Sequence, residues 1–247
     1  MLIMGHGGLA ALGLYTAAWT LSGYAVQMIL TAMGSDFYPR LTAAAGASGV
    51  VNRLVNEQIE VGVLLATPAL CGMVTLAPVV LGLAFSRDFS GAVPLVPLMS
   101  FGASFRVVAW PIGYIMMARS RKGLFMASEA FGAVCGLVLL VVCLGWWGLE
   151  GAGVAGAVSA FLFGVFVWGC GRVVTSFRFS RRSLLIVAGH WLLLGVGYGV
   201  TRVVSGVPGM VAGVALTAAA VAGSLYGLNR MVGFNAWRTL TGRLRRS

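Results

Sequence analysis

Seven apolar runs, each about the ~20 residues needed to span a hydrocarbon core, follow one another with short polar separators. They cover roughly residues 9–33, 59–85, 94–118, 124–147, 151–171, 184–204 and 208–228. Backbone polar groups cannot go unpaired in lipid, so runs of this length become helices. The fold class read from this pattern is all-α, a polytopic membrane bundle of about seven transmembrane helices. Composition agrees: 59% of residues are hydrophobic and 9% charged, against ~25% charged in soluble domains.

The charges that remain are arranged by side. Seventeen basic residues stand against six acidic ones, and fourteen of the basic residues fall in alternate separators. These are Arg40 and Arg53, the Arg119–Lys122 turn, the 172–182 segment, and the tail with Arg230, Arg238, Arg243, Arg245 and Arg246. The opposite separators hold only Arg87 and Arg202. By the positive-inside rule the N-terminus lies outside and the C-terminal tail in the cytoplasm of a multi-pass membrane protein. The excess positive charge then belongs to loops and not to a nucleic-acid surface. The tail reads as a basic amphipathic segment resting on anionic membrane lipids. Between the first two runs, Val50, Val51, Leu54, Val55 and Ile59 recur at helical spacing, which predicts a short helix lying in the interface.

One arginine breaks the pattern. Arg106 lies near the middle of the third run, where a guanidinium costs between ~3 and ~15 kcal/mol. Pro111, five residues on, cannot bond the Val107 carbonyl, which frees polar backbone nearby. At helical spacing Met99, Gly102, Ala103, Arg106, Trp110, Gly113 and Met117 share a face, which predicts the lining of a wet cavity. A guanidinium fork there suits a phosphate, with a structural partner for a distant carboxylate as the other use. Glu129, nearly two turns into the fourth run, could relay a proton, coordinate a cation, pair with Arg106 or reach back to Lys122. Tyr15, Trp19 and Gln27 in the first run are polar or amphipathic groups able to face a sugar. They equally serve as interface anchors or interhelical hydrogen-bond partners.

Other features carry less. Pro68 and Pro78 are expected to interrupt the second run. Gly151, Gly153 and Gly156 match G-x-G-x-x-G, but no strand precedes them, so they read as a packing face. The four cysteines read as small hydrophobes, and His6 and His190 as packing residues. No catalytic motif is present, and the reading calls for no enzyme activity, cofactor or metal. The N-terminus begins with one helical turn before transmembrane sequence, as a chain entered partway through a larger protein would.

With these segments placed, the chain resembles the oligosaccharide (O-antigen type) flippases of the multidrug/oligosaccharidyl-lipid/polysaccharide exporter superfamily. The resemblance is carried by FYPRLT after the first run, NEQ entering the second, and WPIGY with the following AR and K of the third. It implies the second lobe of a MATE-like transporter, residues 1–175 forming a five-helix bundle and 176–247 an added helix pair with the basic tail. It further implies translocation of an undecaprenyl-diphosphate-linked oligosaccharide for lipopolysaccharide or other surface polysaccharide. Arg106 would then meet the diphosphate, Trp110, Tyr15 and Gln27 the glycan, and Glu129 a coupling ion. Because family members have two lobes, a separately encoded N-terminal half is an implied partner. Export of another lipid or a drug, a non-transporting subunit, or the inactive remnant of an interrupted gene are the alternatives.

Overall fold

The computed structural model describes the backbone of residues 2–204 and 206–244, with side chains for residue 3 and for 8–231 apart from 87 and 205. The helices are α1 (Leu2–Ala43), α2 (Ser48–Thr75), α3 (Ala77–Ala84), α4 (Leu95–Ala118), α5 (Lys122–Thr175), α6 (Arg181–Val203) and α7 (Gly206–Leu244). A short 3-10 turn, Arg87–Ala92, joins α3 to α4. Six of these helices are long and apolar enough to cross a membrane, and the protein is a multi-pass membrane helix bundle.

At 54 residues, α5 is far longer than one crossing requires. Gly148 adopts φ 56°, ψ −141°, a left-handed conformation open to glycine, and there the helix folds back on itself. Contacts between the two arms run in reverse order. Gly136 faces Ser159, Gly132 faces Phe163, and the rings of Phe131 and Phe166 stack at 4.5 Å. The two arms, 122–147 and 149–175, supply the fourth and fifth crossings.

Helix α4 is the hub. Most of its residues are buried against α1, α2 and α5, whereas few residues of α5, α6 and α7 are buried. Exposed Leu, Val and Phe side chains along α5 to α7 form the outward apolar surface that lipid tails cover. Small residues let the backbones approach: a Cβ on Gly102 would lie 3.1 Å from the Gly156 carbonyl oxygen, and one on Gly153 would lie 3.0 Å from Leu98. The G-x-G-x-x-G stretch is thus a contact surface between α4 and the second arm of α5.

Helices α2 and α6 run parallel with matched seven-residue steps. Glu60 meets Ser183, Thr67 meets His190, and Val74 meets Gly197. Val63, Leu70, Val187 and Leu194 fill the positions between and are buried. A seven-residue repeat keeps one face of each helix turned to its partner over several turns. At the arginine-rich end the seam becomes polar. Asn56 donates to the Arg178 carbonyl at 3.0 Å and accepts from the Ser180 amide at 2.8 Å. Arg182 Nε lies 3.2 Å from the Glu60 carboxylate.

Two local expectations are corrected. No separate interfacial helix precedes the second span: α2 begins at Ser48, and Val51, Val55 and Ile59 are buried in the main core with Phe37 and Leu41. Their periodicity marks a core face, because the bundle continues to that depth. Pro68 does not interrupt α2, which runs through it to Thr75; the break comes at Leu76, and Pro78 sits in the first turn of α3. His6 and the side chains of the basic tail from residue 232 lie outside the described residues.

Candidate functional site

The inner surface of α1, α4 and the two arms of α5 borders two adjoining, half-open chambers of about 250 and 650 Å³. Glycine and alanine create the space. Gly132, Ala133 and Gly136 on the first arm and Ala155 and Gly156 on the second present no bulk to the interior. All seven residues of the α4 face, from Met99 to Met117, line one chamber or the other.

Arg106 lines both chambers, together with Gln27 and Ser159. Its neighbours Val107, Val108 and Ala109 are buried, yet its own side chain is exposed, because it points into the hollow and away from the packed faces of α4. Among the described residues it has no carboxylate partner. An unpaired guanidinium halfway along a membrane helix needs water or an anion beside it. The open hollow admits either.

The smaller chamber extends toward the start of α4, and Tyr15, Trp19, Ser22 and Met99 complete it. Tyr15 is half-buried and Trp19 exposed. The larger chamber extends toward the arginine-rich side and carries an aromatic wall. The rings of Trp110 and Tyr114 lie 4.4 Å apart, with Phe37 6.0 Å from each and Tyr38 5.5 Å from Tyr114. Gly34 makes room for this wall, since a Cβ there would stand 3.1 Å from the Trp110 ring. Trp110 and Tyr114 line the chamber and present flat apolar faces with a polar edge, which suits the alternating faces of a sugar, while buried Phe37 packs against them.

Gln27 lies at the junction of the chambers and donates to Thr31 Oγ1 at 3.3 Å. Glu129 lines the larger chamber, where it is exposed and has no ion pair with Arg106 or Lys122 among the described residues. Of the four roles open to it, neither pairing is present. The sequence-predicted Tyr15, Gln27, Arg106, Trp110 and Glu129 are therefore brought to one hollow, divided between its two ends. Tyr114, Ser159 and Phe163 were not anticipated. Tyr114 was within reach, four residues beyond Trp110 on the same face, but Ser159 and Phe163 depend on how the α5 arms pair. Among the described residues no group of three or more His, Cys, Asp or Glu gathers as a metal site.

No family model matches the chain. Over 150 residues, 60% of its length, it is 24% identical to the probable low-salt glycan biosynthesis flippase Agl15 of Haloferax volcanii, of which it covers 31%. In fold it is similar to the lipid II flippase MurJ in an inward closed conformation, with a TM-score of 0.60 and 13% identity. That match takes in 94% of this chain and 52% of that one. The chain thus spans about a third to a half of the proteins it matches. The flippase resemblance read from the motifs is met by a sequence match and a fold match that point the same way.

Proposed function

We propose that this chain is one lobe of a flippase for a lipid-linked oligosaccharide, of the undecaprenyl-diphosphate kind used for O-antigen and related surface polysaccharides. The observation that carries this reading is Arg106, an unpaired cation exposed at the junction of two chambers midway along α4. An anionic diphosphate drawn to that point exchanges its water for a bidentate guanidinium. The attached glycan then occupies the larger chamber against Trp110 and Gln27. The smaller chamber, with Tyr15, receives the headgroup as it passes toward the other leaflet. No bond is made or broken, so the protein acts as a transporter and not as an enzyme.

On this reading the arginine-rich side faces the cytoplasm of a bacterial inner membrane, with the N-terminus periplasmic. The hollow needs a second wall. Helix α1 leaves most of its surface uncovered, with Tyr24 65% and Met28 59% exposed. A separately encoded N-terminal half seated there completes the translocation path. The five crossings up to residue 175 form the lobe proper, and α6 and α7 are the added pair.

Complementation tests the assignment. In cells lacking the endogenous flippase, the wild-type chain with its other half should restore surface glycan. Arg106→Ala should abolish export with membrane insertion intact, and Arg106→Lys should recover part of it. Normal export by Arg106→Ala would refute the role.

A further inference from the structure

On one membrane face, cations outnumber the carboxylates that could neutralise them, and all six carboxylates of the chain are among the described residues. Asp36 holds Arg40 at 2.9 Å, Glu57 lies 3.9 Å from Arg53, and Glu60 lies 3.2 Å from Arg182. Asp88 and Glu150 sit at the other end of the bundle, in the 3-10 turn and beside the Gly148 turn. Glu129 faces the larger chamber. Arg121, Lys122, Arg178 and Arg181 are left exposed at the arginine-rich end with no ion pair among the described residues. Like charges gathered at one membrane boundary repel unless an anion is supplied from outside the chain.

Two of these cations stand over a built cleft. The turn between α4 and α5 is pinned from behind, where Arg119 Nη2 donates to Ser48 Oγ at 2.7 Å. Ser120 takes a left-handed conformation at φ 56°, and the chain reverses into α5. The turn and the last turns of the second α5 arm border a cleft of about 590 Å³. Ser120, Arg121 and Lys122 form its polar rim, while Leu124, Val173 and Val174 form an apolar wall. Val173 is 84% exposed although it lies within the last turn of a membrane helix. The charged rim lies at the helix ends, and Leu124 lies further along the crossing.

We propose that this cleft is a binding site for one anionic phospholipid of the arginine-rich leaflet. The phosphate sits between Arg121 and Lys122, the glycerol against Ser120, and an acyl chain along Leu124 and Val173. Charge complementarity selects an anionic lipid over a zwitterionic one. The apolar wall selects a lipid over a free phosphate, which would use the rim alone. The site lies at the outer edge of the α5 arms, apart from the hollow that holds Arg106.

Native mass spectrometry of the full chain released from detergent tests this, with phosphatidylglycerol, phosphatidylcholine or inorganic phosphate added. The wild type should retain a phosphatidylglycerol adduct in preference to phosphatidylcholine, and excess inorganic phosphate should not displace it. Arg121→Gln with Lys122→Gln should weaken retention about tenfold or more. Arg178→Gln with Arg181→Gln removes the same charge from the same face outside the cleft and should leave retention near wild type. Equal loss in both double variants would reduce the effect to general surface charge and overturn the site. So would unchanged retention in Arg121→Gln/Lys122→Gln, or displacement by inorganic phosphate.

Discussion

Thr67 Oγ1 and His190 Nδ1 lie 2.8 Å apart in the middle of the α2–α6 seam. The one hydroxyl hydrogen of Thr67 is directed to the Val63 carbonyl at 2.6 Å, so the imidazole must supply the hydrogen of the shared bond. That places the ring proton on Nδ1. Nε2 is left buried without a partner.

This arrangement makes the two partners unequal. Thr67→Val leaves the Nδ1–H without an acceptor and should destabilise the protein by about 1–3 kcal/mol. His190→Leu leaves Thr67 still bonded to Val63 and removes the lone Nε2 as well, so its cost should stay below about 1 kcal/mol. Thermal unfolding of the detergent-solubilised variants gives the order directly. A His190→Leu variant less stable than Thr67→Val would reverse the donor assignment.

The polar end of the same seam gives a second prediction. The Glu60 side chain is 6% exposed, and it accepts from Ser183 Oγ at 2.8 Å and from Ser180 Oγ at 3.3 Å besides facing Arg182. Glu60→Ala unties the start of α6 from α2, at about 1–3 kcal/mol. Arg178, Arg181 and Arg182 should then be cut by trypsin several-fold faster than in the wild type. Equal cleavage rates would mean that Asn56 alone holds the segment.

The crossings, their order and the cavity face of α4 were legible in the sequence because each obeys a single periodicity. A run of apolar residues reports its own length, and one helix reports its own faces. The seam was not legible in this way. Asn56 and Glu60 look like the polar side of a surface helix until Ser180 and Ser183, more than a hundred residues away, satisfy them. His190 read as a packing residue for the same reason, since Thr67 lies on another helix. The extent of α2 failed similarly: Val51, Val55 and Ile59 mark an apolar stripe, and a stripe does not say whether lipid or Phe37 covers it.

The Gly148 reversal yields a paired glycine test. A Cβ on Gly151 would overlap the Cys143 carbonyl oxygen, a backbone atom with nowhere to move while the hairpin is closed. Gly151→Ala should cost about 3 kcal/mol or more through forced rearrangement of the turn. Nothing lies within 4 Å of a Cβ built on Gly145, three residues before the turn. There alanine should be neutral or stabilise the helix by up to ~1 kcal/mol. Yield of folded, monodisperse protein and its melting temperature report both, and similar behaviour of the two variants would contradict the close approach at the turn.

Arg106 and Glu129 line the same chamber without pairing, which allows cargo binding and ion coupling to be separated. If the guanidinium receives the diphosphate, Arg106→Ala loses a charge-assisted contact worth about 1.5–3 kcal/mol, or roughly ten- to a hundredfold in affinity. Glu129→Gln keeps the shape and removes one negative charge from the chamber. It should leave binding of a diphosphate-bearing lipid intact or tighter, since it removes a like charge. Export driven by an ion gradient should nevertheless fall. Binding measured in nanodiscs and export measured in cells with and without an ionophore distinguish the two roles. Loss of lipid binding in Glu129→Gln, or export as sensitive to the ionophore as in the wild type, would remove the carboxylate from the coupling step.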